Sequence, residues 1–183
     1  MKLVLKNTSG ETDVRLIAMI NSWEFVVEFP RENNSPHQVQ WKYGSSTIIV
    51  FMEDFLLNMN YLVVDGNDCQ VIKKQVIDGL EIYQEADIDR LNTEVVNTPE
   101  ASLLINAAAL MITGSFEQSY YDLILRAMNS TCEEVQRSAI FAVNYTPWIE
   151  LRDALLSLKK NYPYLSKDIE IVIEANDTHG WIK

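Results

Sequence analysis

The C-terminal half of this chain repeats itself. The stretch TPEASLLINAAALMITGSFEQSYYDLILRAMNS (98–130) is followed, about 32 residues on, by TCEEVQRSAIFAVNYTPWIELRDALLSLKKNYP (131–163), and YLSKDIEIVIEA (164–175) begins the pattern again. Helix pairs that repeat at such a period are typical of α-solenoids, in which each pair buries its apolar face against its neighbours. The repeat therefore predicts a stack of about five helices from residue 98 onward.

Superposition of the two complete units shows what they share. It pairs Leu103 with Val135, Ala107 with Ala139, Phe116 with Trp148 and Leu123 with Leu155. Small residues such as Ala107 and Ala139 let helices approach closely. The aromatic residue that is predicted to open the second helix of each unit, Phe116 or Trp148, fills the space beyond the turn.

The second unit resembles the HEAT-like repeat family, in the segment EEVQRSAIFAVNY (133–145) with its acidic start, Arg137 and paired alanines. The resemblance covers residues 100–175, with one unit matching well and two loosely, and the third unit lacks the small residue. It implies a short α-solenoid that presents a ridge or shallow groove to another protein. Another kind of helical bundle is the alternative architecture.

The first 66 residues carry β-type signals. In the predicted strand WEFVVEF (23–29), alternation places Trp23, Phe25, Val27 and Phe29 on the inner face, with Glu24, Val26 and Glu28 on the outer face. Further strands are predicted at 38–43, with Val39, Trp41 and Tyr43 inward, at 47–52 and at 61–66. The segment 11–22 fits a strand or a helix, and Asp13 as an N-cap favours the helix.

A helical period resumes behind Asp68, and the following segment 81–99 is predicted to be the connection between two halves because it is poor in large apolar residues. The predicted fold class is α+β: a small antiparallel sheet with one or two helices, followed by a short HEAT-like α-solenoid or helical bundle. The predicted domains are residues 1–90 and residues 98–183.

The net negative charge of the chain indicates which kinds of molecule it could bind. Acidic residues outnumber basic ones 26 to 15, for a net charge of −11. A phosphate backbone is held by Lys and Arg, so the composition argues against nucleic acid and anionic membranes, whereas a basic protein remains a possible partner. Two isolated cysteines, the lack of a signal-peptide pattern and the lack of a long apolar run predict a cytoplasmic protein without a membrane span.

Catalytic signatures are absent from the sequence. It contains no GxSxG, HExxH, GxxxxGK[ST] or GxGxxG motif, and its two histidines, His37 and His179, have no nucleophile nearby. Glu53 and Asp54 form an acidic pair in an apolar setting where raised pKa values would permit acid–base work. The alternative is a strand end that turns to solvent. No metal site and no cofactor are predicted.

Acidic residues supply the candidate partner-binding positions. They are Glu81, Glu85, Asp87, Asp89, Glu117, Glu150 and Asp153. Charge at an interface steers the encounter with an oppositely charged partner, and a solvated linker is the alternative for the first four.

The leading functional hypothesis is a non-enzymatic protein-binding or adaptor module, with an acidic, immunity-like inhibitor of a basic protein as one specific version. A second hypothesis is an enzyme or chromophore-lyase-like protein whose site is formed by Glu53, Asp54 and His37, because some HEAT-like families attach or detach chromophores. A subunit of a larger assembly is the third.

Overall fold

An antiparallel sheet is built from the β-type segments of the N-terminal half. The computed structural model describes residues 1–32, 35–93, 97–112 and 115–182. In that part of the chain the strands are β1 (Lys2–Val4), β2 (Glu24–Phe29), β3 (His37–Tyr43), β4 (Thr47–Asp54) and β5 (Met59–Asp65). They pair in the order β1-β5-β4-β3-β2, and every pairing is antiparallel.

The helices occur partly between the strands and mainly after them. They are α1 (Glu11–Ile20), α2 (Cys69–Gly79), α3 (Glu85–Thr93), α4 (Pro99–Met111), α5 (Gln118–Met128), α6 (Glu133–Ala142), α7 (Ile149–Asn161) and α8 (Ser166–His179), with a 3₁₀ turn at Pro163–Leu165. The predicted α+β class is therefore confirmed. The chain divides into two units, Met1–Tyr83 and Gln84–Lys183, so residues 84–90 belong to the second unit.

The core of the first unit lies between one face of the sheet and the helices α1 and α2. Val39 and Trp41 of β3 point into it, as predicted, and Tyr43 packs against it. From the helices, Val14 and Ile17 of α1 and Ile72 and Val76 of α2 complete this core. The period-2 alternation of β3 gives it one apolar face, which is the face that the helices cover.

Strand β2 departs from the predicted alternation because it contains a β-bulge. Phe25 pairs with Trp41 and Val27 pairs with Gln40, so Val26 is the extra residue. A one-residue shift moves the following side chains to the other face of the sheet. Phe29, which follows the bulge, is therefore 47% exposed instead of inward, and Glu28, predicted to point outward, pairs with Val39 on the helix-covered face. Phe25 precedes the bulge and pairs with Trp41, but it lies on an edge strand and is 56% exposed.

Segment 11–22 forms the helix α1, as the sequence favours, but Asp13 is not its N-cap. Gly10 occupies the N-cap, and Asp13 lies at the third helical position, where its Oδ2 accepts a 2.8 Å hydrogen bond from the Gly10 N–H. This carboxylate still satisfies a free backbone donor at the positive end of the helix dipole. The predicted helix is present, but the predicted N-cap is wrong by three residues, and Asp13 caps the helix from its third position instead.

The segment predicted to be a connection contains α3. Its first turn carries Glu85 and Asp87, and Asp87 accepts a 2.8 Å hydrogen bond from the backbone N–H of Gln84. Leu91 is buried, and α3 packs against α4 and α5. The buried Leu91 and a capping carboxylate help to place this polar helix, and its low hydrophobicity concealed it in the sequence.

The helices of the second unit pack in two series. In one series α4 packs against α6 and α6 packs against α8; in the other, α5 packs against α7. Ala107 and Ala139, which the superposition pairs, are completely buried at the middle of α4 and α6. The repeat of about 32 residues thus corresponds to helices stacked on their own equivalents.

The paired aromatic residues of the repeat contact each other. Phe116 and Trp148 each precede a helix instead of lying within it, and their ring centroids are 5.0 Å apart. Trp148 is buried, whereas Phe116 is 43% exposed, so it covers the edge of the core and does not fill it. Asn144 and Asn176 form a further contact at this period, with a 3.2 Å hydrogen bond between their side chains.

A helix that crosses a membrane has to be both long and apolar. None of the helices within the described ranges combines the length and the apolar character that crossing a bilayer requires.

Candidate functional site

Three of the predicted partner-binding acids line one cleft in the second unit. Glu85 and Asp89 come from α3, and Glu117 directly precedes α5. The cleft has a volume of about 340 Å³. Its other lining residues are Ile88, Ala108, Met111, Ile112, Ser119, Tyr120 and Leu123. We call this feature the acidic cleft.

The acidic cleft has a charged margin over an apolar floor. Its three carboxylates are exposed, while Ala108, Leu123 and Tyr120 are buried. Among the described residues that line it, none is Lys, Arg or His. The lining therefore carries negative charge without a basic side chain of its own to neutralise it.

Helix geometry brings two of these carboxylates together. Glu85 and Asp89 are four residues apart on α3 and so lie on the same helix face. A like-charge pair at this spacing destabilises a helix by about 0.2–0.5 kcal/mol. Glu117, in contrast, occupies the N-cap position of α5, where the helix dipole favours a carboxylate. Glu85 also lies in the first turn of α3, where the dipole offsets part of this repulsion, whereas Asp89 lies beyond that turn.

Tyr120 stiffens the floor of the cleft. Its ring packs edge-on against Trp148, with centroids 5.7 Å apart, and burial raises the pKa of its hydroxyl. The group therefore stays neutral and does not add to the negative charge of the cleft. Two buried aromatic rings in contact give the floor little freedom to rearrange.

The other four predicted acids lie elsewhere. Asp87 caps α3, and Glu81, in the first unit, accepts a 3.1 Å hydrogen bond from the Thr8 hydroxyl. Glu150 and Asp153 are exposed on α7 and do not line the acidic cleft. The structure therefore gathers Glu85, Asp89 and Glu117 and leaves the remaining candidates apart.

Of the three acid–base candidates in the first unit, His37 and Glu53 meet, and Asp54 lies on the other face of the sheet. His37 and Glu53 are cross-strand partners on β3 and β4, and His37 Nδ1 lies 3.7 Å from Glu53 Oε2. Asp54 is the next residue on β4 and so points to the opposite face; its Oδ1 accepts hydrogen bonds from the backbone N–H groups of Leu56 and Leu57. Asp54 has a turn-forming role at this strand end and does not join His37.

Two further carboxylates, which the sequence analysis did not single out, complete the surroundings of His37. His37 Nε2 lies 3.2 Å from Glu28 Oε1, and His37 Nδ1 lies 3.5 Å from Glu11 Oε2. One ligand atom each of Glu11, Glu28 and His37 lie within 4.8 Å of one another, which is a spacing that could hold a metal ion. We call these residues, together with Glu53, the carboxylate–histidine cluster.

Arg15 bridges two carboxylates of the cluster. Its Nε lies 2.5 Å from Glu11 Oε1, and its Nη2 lies 2.6 Å from Glu28 Oε2. Hydrogen bonds from Arg15 and, second, from His37 lower the pKa of Glu28. The spacing of Glu11 and Arg15 at i and i+4 on a helix was visible in the sequence, but the bulge that turns Glu28 toward them was not.

Comparisons with known proteins identify no protein that is similar to this chain. Neither family models nor curated proteins nor solved structures match this chain. Functional inference therefore depends on the two sites described above.

Proposed function

We propose that this protein is a non-enzymatic binding module whose helical unit recognises a basic partner protein through the acidic cleft. The observation that carries the proposal is the meeting of Glu85, Asp89 and Glu117 over an apolar floor. The proposed occupant is a Lys or Arg side chain of the partner. An immunity-like inhibitor of a basic protein is one version of this function, and the short HEAT-like stack that the sequence suggests would be its scaffold.

The chemistry of the acidic cleft matches such a side chain along its length. Lys and Arg combine an apolar stem with a cationic head, and they bury the stem along apolar surface while the head finds a charged or hydrated partner. Met111, Ile112 and Leu123 would contact the stem, and the three carboxylates would contact the head. Hydrogen bonds to a charged group contribute about 1.5–3 kcal/mol each when well formed.

The spacing of Glu85 and Asp89 on one helix face supports the same occupant. A cation placed between the two carboxylates attracts both and offsets their mutual repulsion, which stabilises the bound state. The net charge of −11 adds long-range steering of a basic partner. We therefore expect association to weaken as salt screens the field.

The test is a selection of binders followed by titration. A displayed library of random 12-residue peptides is selected on the protein and counter-selected on a variant that carries Glu85→Gln, Asp89→Asn and Glu117→Gln. We expect the surviving peptides to be enriched in Lys or Arg, and to bind the triple variant at least about tenfold more weakly by fluorescence anisotropy.

A matched control separates the cleft from overall charge. The control variant carries Glu134→Gln, Glu150→Gln and Asp153→Asn. Like the cleft variant it removes three negative charges, but from exposed positions outside the cleft. It should bind the selected peptides within about twofold of the wild-type protein, since exposed distant charges are screened. Equal losses in both variants, or selected peptides without basic residues, would contradict the proposal.

An acid–base enzyme, including lyase chemistry, is the second candidate function, and the contact between His37 and Glu53 favours it. A neutral imidazole beside a carboxylate is a common general base. A panel of p-nitrophenyl esters and phosphates provides the test. Activity that Glu53→Gln and His37→Ala both reduce supports this candidate, and activity that neither variant changes excludes these two residues.

A further inference from the structure

We infer that the carboxylate–histidine cluster of the first unit is a binding site for one divalent transition-metal ion, with Zn²⁺ as the best-fitting member of the class. Glu11, Glu28 and His37 are the proposed ligands, and Glu53 lies within reach as a fourth. This site is independent of the acidic cleft, because it is formed by the other unit of the chain.

The donor types select the class of ion. Imidazole nitrogen suits Zn²⁺, Cu²⁺, Fe²⁺ and Ni²⁺, whereas Mg²⁺ and Ca²⁺ prefer sites made only of oxygen ligands. Zn²⁺ accepts both His nitrogen and Glu oxygen and requires three or four protein ligands. One histidine with two or three carboxylates therefore favours a transition metal over a hard cation.

The distances are close to those of a bound ion. Metal–ligand bonds of about 2.0–2.2 Å separate two ligands of one Zn²⁺ by roughly 3–4 Å. One ligand atom each of Glu11, Glu28 and His37 lies within 4.8 Å of the others. The 3.2 Å separation of His37 Nε2 and Glu28 Oε1 falls in the range expected for one Zn²⁺, whereas Glu11 Oε2 lies 3.5 Å from the other ring nitrogen, Nδ1. An imidazole binds an ion through one nitrogen, so one of the two carboxylates has to move around the ring when the ion binds.

Arg15 orients two of the proposed ligands. Arg15 binds Oε1 of Glu11 and Oε2 of Glu28. The remaining oxygens, Glu11 Oε2 and Glu28 Oε1, face His37. Ligating carboxylates in metal sites are commonly held in this way by a hydrogen-bond donor on the oxygen that does not coordinate the ion. Arg15 is thus a positioning residue that orients two ligands without competing for their free oxygens.

Charge balance agrees with a divalent ion. Three carboxylates and one guanidinium give the cluster, with Arg15, a net charge of about −2 when His37 is neutral, and a divalent ion neutralises it.

The scaffold holds the ligands in place. Glu11 lies on α1, whose Val14 is completely buried, and His37 lies on β3, where its ring packs edge-on against the buried Phe51 with centroids 6.3 Å apart. The His37 side chain is only 13% exposed. A partly buried ligand on a strand and another on an anchored helix lose little freedom when an ion binds.

The experiment uses the full chain after removal of metal with a chelator. Zn²⁺ is titrated by calorimetry, and Co²⁺ is added as a spectroscopic probe of the same site. We expect one ion per chain, a dissociation constant in the micromolar range or tighter at pH 7.5, and a visible Co²⁺ absorption that Zn²⁺ displaces.

Three variants and a control decide the result. His37→Gln and Glu28→Gln should each weaken Zn²⁺ binding by at least about tenfold, and Arg15→Gln should do so through misplaced ligands. The matched control is His179→Gln, since His179 is exposed at the end of α8. Far-UV circular dichroism confirms that each variant is folded.

Two outcomes would overturn the inference. One is Zn²⁺ binding that His37→Gln and Glu28→Gln leave unchanged. The other is no binding of Zn²⁺ or Co²⁺ at millimolar concentration by the wild-type protein, which would make the cluster an ion network around a protonated His37.

Discussion

Glu28 shows how a single residue acquires a role that its position in the sequence does not suggest. It belongs to an alternating apolar strand and was predicted to point to solvent, yet its carboxylate lies beside His37 and Arg15. The cause is Val26, the extra residue of the bulge. Glu53, in contrast, was singled out from the sequence and does contact His37, because a regular two-strand pairing carries it there.

Tyr61 gives a prediction for alkaline pH. Burial and, second, the charge of Asp54 raise the pKa of Tyr61 to about 12. The unfolded chain releases this proton near pH 10, before the folded protein does, so the stabilising contribution is complete below pH 10 and is lost as the pH rises through 12.

We expect the free energy of unfolding of the wild-type protein to fall between pH 9 and pH 11.5 by about 1 kcal/mol more than that of Tyr61→Phe, which has no proton to lose there. Urea unfolding at the two pH values measures the difference. Parallel pH profiles for the two proteins would contradict the assignment.

At the scale of elements, the strongly periodic segments were predictable and the weakly periodic one was not. The strand β3 and the helices α6 and α7 carry clear apolar alternation or stripes, and all were expected. Helix α3 was missed because tertiary packing of Leu91, and not a stripe of its own, holds it. Such short polar helices take their stability from neighbours rather than from local sequence.

Helix α6 gives a prediction about packing. It lies between α4 and α8, and Ala139 is completely buried in it. Ala139→Leu adds volume where helices approach closely, and we expect it to lower the free energy of unfolding by about 1–3 kcal/mol.

Glu134→Leu on the exposed face of α6 is the control for this substitution and should change stability by no more than about 0.5 kcal/mol. Urea unfolding followed by circular dichroism compares the two variants. A neutral Ala139→Leu would mean that α6 has more room beside its neighbours than its complete burial indicates.

At the scale of the whole molecule, the two units have different chemistry. The first unit contains the sheet and the carboxylate–histidine cluster, and the second contains the helical stack and the acidic cleft. Each unit has its own network of internal contacts, and the strand pairings all lie within Met1–Tyr83. Such organisation is typical of parts that fold on their own.

We expect residues 84–183, produced alone, to give a helical circular dichroism spectrum, a cooperative urea transition and binding of the selected basic peptides within about threefold of the full chain. The residues of the acidic cleft all lie within this fragment. Addition of Zn²⁺ should leave its unfolding midpoint unchanged, which also serves as a control for the metal site. A non-cooperative transition would show that the second unit needs the first.

The sequence alone was sufficient to predict the α+β class, most of the helices, the buried alanines and the acidic character of the surface. Apolar periodicity and charge can be read from the sequence without knowledge of the tertiary contacts. Which acids meet was decided by the tertiary structure. The acidic cleft requires α3 to pack beside α4 and α5, and the carboxylate–histidine cluster requires a helix and three strands in one register. A one-residue bulge reverses which side chains face the helices, so no local pattern could place Glu28 beside His37.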